Sequence, residues 1–159
     1  MKESWRVGLS FGLTSGVITT MGLMVGLYAG TQSFKVVIGG VLMIAIADSF
    51  SDALGMHVHE ESEREHTPKE IWESTCATFL SKLIFSLSFI FPIVLFHLKT
   101  AVIVSVIWGL SLVGLLSYQM AKSQKESPWK IILEHVLIAI VVMIATNIVG
   151  ELVYAYIHS

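Results

Sequence analysis

The stretch AIADSFSDALGMHVHEESEREH, Ala45 to His66, begins as apolar as a membrane helix and ends in acids and histidines. Asp48 and Asp52 stand four residues apart inside its apolar part. On an α-helix that spacing puts both carboxylates on one face, a single turn apart. Continued in the same step, the face takes in Met56, His59 or Glu60, and Glu63, so one stripe carries oxygen, sulfur and nitrogen ligand atoms. An ionisable side chain at the centre of a bilayer costs about 2.5–3.5 kcal/mol on insertion scales, and it therefore faces a partner or a watery path. Two carboxylates a turn apart also repel each other unless a cation or a proton sits between them.

These ligand types point to a divalent first-row metal. Carboxylate and imidazole suit Fe(II), Mn(II) and Zn(II), and the Met56 thioether turns the set away from magnesium and calcium. Beyond the apolar part, His57, Glu61, Glu65, His66, Glu70 and Glu73 join His59, Glu60 and Glu63 in a density that would gather cations from solution. A solvated helical extension, with Arg64 and Lys69 pairing to neighbouring glutamates, accounts for that segment equally well. The membrane aspartates have their own bland explanation. Asp52 and Lys82 fall at similar depth on consecutive antiparallel helices, so a buried ion pair would hold the two helices together, though it leaves Asp48 unexplained.

The elements that must position these groups are membrane helices. The chain has 159 residues, of which 54% are hydrophobic and 14% charged, with a mean hydropathy of +0.75. That is too apolar for a soluble domain of this size. A helix crosses the roughly 30 Å hydrocarbon layer with about 20 apolar residues, and five stretches qualify: 8–30, 34–57, 74–97, 100–121 and 131–156. We expect a single all-α transmembrane domain over 1–159, embedded in a lipid bilayer, with a short acidic hairpin at 58–73. The apolar start is too long for a signal peptide core and reads as a retained first span. The single cysteine, Cys76, gives no intrachain disulfide, and a net charge of -2 without a basic patch gives no reason to expect nucleic acid as a partner. No nucleophile with a base, phosphate loop or His-Glu-x-x-His spacing occurs, so an enzyme is not expected.

With five spans, the N-terminus and the connections near 58–73 and 122–130 share one face. It holds seven basic residues, Lys2, Arg6, Arg64, Lys69, Lys122, Lys125 and Lys130, against Lys35 and Lys99 on the other. The positive-inside rule puts the N-terminus and the acidic hairpin in the cytoplasm and the C-terminus outside. Trp5, Trp72 and Trp129 fall at the inner boundary, as interfacial aromatics do. In the first span Gly8, Gly12 and Gly16, then Gly22, Gly26 and Gly30, repeat every fourth residue, which lets helix backbones approach closely. A dimer interface and a crossing within one chain explain that spacing equally. Ser15 and Thr19 give the same span a polar side and join Lys82 as candidates for a transport path. Pro92 predicts a kink late in the third span.

Taken together, these residues resemble the vacuolar iron transporter family, proton-coupled exporters of ferrous iron and manganese with five membrane helices. The segment LTSGVITTMGLMVGL echoes the family's Asn-Asp-Gly-Leu-Val opening and its Gly-Leu-Val-x-Gly run. SDALGMHVHEESERE matches the length of its Ser-Met-Ala-x-Gly-Glu-Tyr to Gln-Arg-Glu stretch through Ser51, Gly55, Arg64 and Glu65. ATFLSKLIFSLSFIFP has its third-helix opening and late proline, and NIVGELV is close to its Ile-Gly ending. Ser15 falls where the family has an aspartate, Asp52 where it has a methionine, and Met56 where it has a glutamate. The resemblance implies a homodimer with an ion path along helices one and two. It also implies export of ferrous iron or manganese as transported substrate, with no tightly bound cofactor, in exchange for protons. The setting expected is the plasma membrane of a prokaryote. Asp48, Asp52 and Met56 would then bind the metal within the membrane, and His59, Glu60 and Glu63 would deliver it. A metal-sensing or scaffold membrane protein, and a transporter of another solute with the two aspartates as proton sites, are the rival expectations.

Overall fold

Residues 3–63 and 65–157 are described by the computed structural model, so Lys2, Arg64 and Ser159 lie outside the described residues. The described residues form helices and short connections, with no strand among them. In chain order the helices are α1 (Glu3–Thr31), α2 (Phe34–Glu63), α3 (Pro68–Ser88), α4 (Ile90–Leu95), α5 (Leu98–Gln124) and α6 (Pro128–Ile157). Five segments are long and apolar enough to cross a membrane, with α3 and α4 counting together as Pro68–Leu95. This is consistent with an integral, multi-pass protein. α1, α5 and α6 overrun their apolar stretches at both ends and α2 at its C-terminal end, whereas the third span begins early at Pro68 and stops at Leu95. α2 continues to Glu63 and α3 begins at Pro68, so the 58–73 hairpin is two helical ends and a short turn.

That turn is built by local chemistry. Thr67 is the N-cap of α3, its hydroxyl accepting from the Glu70 backbone while the Glu70 carboxylate accepts from the Thr67 N–H at 2.9 Å. Pro68 follows at the first helical position, where its missing N–H costs nothing. At the other end of the molecule, α1 and α2 are joined through Gln32, whose φ of 49° is left-handed, with its N–H bonded to the Tyr28 carbonyl at 2.9 Å. The interruption expected at Pro92 occurs earlier, at Phe89, between α3 and α4. A proline lacks an N–H and its ring crowds the carbonyl four residues back, here that of Ser88, so the helix yields ahead of it.

α1 is the central helix, and its glycines explain why. A side chain at Gly8, Gly12 or Gly16 would run into Ser74, Thr78 or Lys82 of α3, and one at Gly26 would come within 3.0 Å of the Thr146 carbonyl of α6. Gly30 meets Gly150 of α6 in the same way. Both glycine runs therefore serve crossings within one chain. α2 packs beside α1 and α3, and α5 fills in behind α1 and α6. The apolar core between them includes Val17, Met21, Val41, Phe89, Ile93 and Val113. α6 is the least buried of the five candidate spans, burying only Ala139 and Gly150.

Candidate functional site

Asp48 lies 14 residues into α2, about 21 Å along a 1.5 Å rise, which is the middle of the helix. Lys82 lies equally far into α3, and Ser15 and Thr19 near the middle of α1. The three helices bring these four side chains together. Lys82 Nζ is 2.6 Å from Asp48 Oδ2, contacts Asp52 Oδ2 as well, and donates to Ser15 Oγ at 2.9 Å. Ser15 Oγ donates to Asp52 Oδ2 at 2.6 Å, and Thr19 Oγ1 donates to Asp48 Oδ2 at 2.9 Å. Each carboxylate thus receives the ammonium and one hydroxyl from α1. The ion pair weighed for Asp52 alone is in fact shared, and the second aspartate that it left unexplained is its other arm.

Burial within the cluster is uneven. The Lys82 side chain is 1% exposed, whereas those of Asp48 and Asp52 keep 22% and 21%. Lys82 is enclosed from the α1 side by Gly16, where a β-carbon would sit 3.0 Å from Lys82 Cγ. The aspartates remain partly accessible. With all three groups ionised the set carries one net negative charge, so it has room for one further positive charge, a proton or a share of a metal ion.

The rest of the expected stripe divides. Met56 and Glu60 face inward and are buried, while His59 and Glu63 are exposed. Glu60 and Glu63 meet at His66, whose Nε2 is 3.2 Å from Glu60 Oε2 and 3.3 Å from Glu63 Oε2. His59 Nε2 approaches Glu63 Oε1 at 3.5 Å. This is a second, separate cluster at the end of α2. Among the described residues no group of three or more His, Cys, Asp and Glu side chains is arranged to hold a metal ion.

Several of the expected cation-gathering side chains have structural partners instead. Glu70 is engaged in the cap of α3, and Glu73 accepts from Ser4 at 3.1 Å. The Thr75 hydroxyl donates to the Ile71 carbonyl, so the His57 Nδ1–H donates to Thr75 Oγ1 at 3.0 Å, and the His57 ring rests edge-on against Trp72. Glu61 and Glu65 stay exposed at the surface. The sequence TPKE carries the capping signal in full, a Thr, a Pro and a Glu three residues on, so that role of Glu70 was open to reading. Gly16 was singled out for backbone approach, and its service to the Lys82 stem has no sequence signal. Elsewhere, Ser117 on α5 is bonded to His135 Nδ1 of α6 at 2.8 Å, and Asn147 donates to Glu151 at 2.8 Å. Compared with protein-family models, with curated proteins and with solved structures, the chain matches none.

Proposed function

We propose that this chain is a transmembrane transporter of a divalent transition metal, ferrous iron or manganese, exported from the cytoplasm of a prokaryote in exchange for protons. The observation that carries this reading is the pair of aspartates at mid-helix depth, gathered by Lys82, Ser15 and Thr19 and partly accessible. Carboxylates maintained at that depth need a cation to answer them, and a site with one uncompensated charge exchanges one cation for another. The likeness to the vacuolar iron transporter family in the first two helices supports the choice of metal, with Met56 as the soft ligand. It supports a homodimer as well, since a second copy would cover the accessible surface of Asp48 and Asp52. The Glu60, Glu63, His66 cluster is at the hairpin end, where it would pass ions from the cytoplasm toward Met56.

One contact favours a second reading. An ammonium already stands between the two carboxylates, which suits a transporter of another solute in which Asp48 and Asp52 carry protons only. The two readings part in proteoliposomes. Flux of Fe(II), Mn(II), Zn(II) and Ca(II) is measured with and without a pH gradient, for the native chain and for Asp48→Asn. On the metal reading, Fe(II) or Mn(II) moves, a proton gradient accelerates it, and Asp48→Asn stops it. No metal flux under any gradient leaves the second reading.

A further inference from the structure

Lys82 does more than neutralise. Its ammonium donates to Asp52 Oδ2 and, at 2.9 Å, to Ser15 Oγ, and pairs with Asp48 Oδ2 at 2.6 Å. An ammonium surrounded by oxygens in this way stands where a cation bridging the two carboxylates would stand. The Lys82 side chain is 1% exposed, and the absent β-carbon at Gly16 leaves room for its stem. The carboxylates keep about a fifth of their surface exposed while the ammonium between them is buried.

We propose that Lys82 is a built-in competitor for the transported cation, and that by this competition it selects ions by charge. This rests on the reading of Asp48 and Asp52 as the cation site. A tethered ammonium acts at a high effective concentration, so an ion from solution must beat it through stronger attraction to the same oxygens. A monovalent ion brings no more charge than the group it displaces and loses. A divalent ion brings twice the charge to two carboxylates and wins, though with weakened affinity, and the ammonium then returns to help expel it. Selection of divalent over monovalent ions thus needs no change in the oxygen ligands.

The test is Mn(II) binding to the purified full chain in nanodiscs, at fixed pH and with ionic strength held by choline chloride. For the native chain, excess Na+ in place of choline leaves Mn(II) binding unchanged. Lys82→Gln, which removes the charge, tightens Mn(II) by about tenfold or more and makes Na+ an effective competitor. Lys82→Arg, which keeps it, retains weak binding and indifference to Na+. Mn(II) binding to Lys82→Gln no tighter than to the native chain, with Asp48→Asn abolishing it in both, overturns the competitor and leaves the metal site standing. No Mn(II) binding to either chain overturns the site and the competitor together. Should Lys82→Gln fail to fold, the native chain still decides, because displacement of Mn(II) by Na+ there overturns the competitor.

Discussion

Lys82 leans on two carboxylates at once, and that makes the cost of single changes unequal. Asp52→Asn leaves the ammonium with Asp48 and Ser15, so the fold weakens only modestly. Replacing both aspartates by asparagine strands a buried positive charge, and breaking a buried pair costs about 3–5 kcal/mol. Adding Lys82→Met to that double variant then recovers most of the lost stability, because an absent ion pair is cheaper than half of one. Thermal unfolding of the three chains in one detergent checks the order: native and triple variants close together, the double aspartate variant well below. A triple variant no more stable than the double one would mean that Lys82 is not what the acids balance. The Asp52–Lys82 contact was legible in the sequence by counting residues inward from the hairpin. The share taken by Asp48 was not, because counting gives depth but neither rotation nor the reach of a lysine stem, which here depends on clearance at Gly16.

Among the elements, α1 owes its central place to two glycine runs that face different neighbours. The step from Gly16 to Gly22 is six residues rather than four, which turns the stripe by about 120° around the helix. The first run consequently meets α3 and the second meets α6. That turn was in the sequence, while the identity of each partner helix was not, since small residues announce close approach without naming what approaches. Gly26→Leu drives a side chain into the Thr146 backbone, 3.0 Å from where its β-carbon would sit, and overpacking of this kind costs about 1–3 kcal/mol. The loss is expected to be the same at every protein concentration, as for a crossing within one chain. A melting temperature that recovers at high concentration would instead assign Gly26 to an interface between chains. The break at Phe89 was foreshadowed by Pro92, yet displaced toward the N-terminus, because the proline disturbs the turn before it.

For the whole molecule, contacts across its ends fix which connections lie together. Arg6 donates to Ser123 at 3.1 Å and Ser4 to Glu73, so the N-terminus, the acidic hairpin and the α5–α6 connection share one end. The odd number of crossings sends the C-terminus to the other, as the sequence led us to expect from its spans. The basic residues at the shared end predict that it is cytoplasmic. A reporter active only in the cytoplasm is therefore silent when fused after Ser159 and active when fused before Met1, and activity at Ser159 would remove the hairpin from the side where metal is to be gathered. The ion pair between α2 and α3 also bears on how such a chain is made. Synthesis runs from the N-terminus, so Asp48 and Asp52 emerge from the ribosome before Lys82 does. Each would enter the bilayer at a cost of about 2.5–3.5 kcal/mol if α2 inserted alone. With the Thr67–Glu70 turn already closed, α2 and α3 can enter as one unit, with Lys82 offsetting one of the two negative charges before they reach lipid. The delay between the two helices, set by the short turn at the hairpin, then becomes a property on which biogenesis depends.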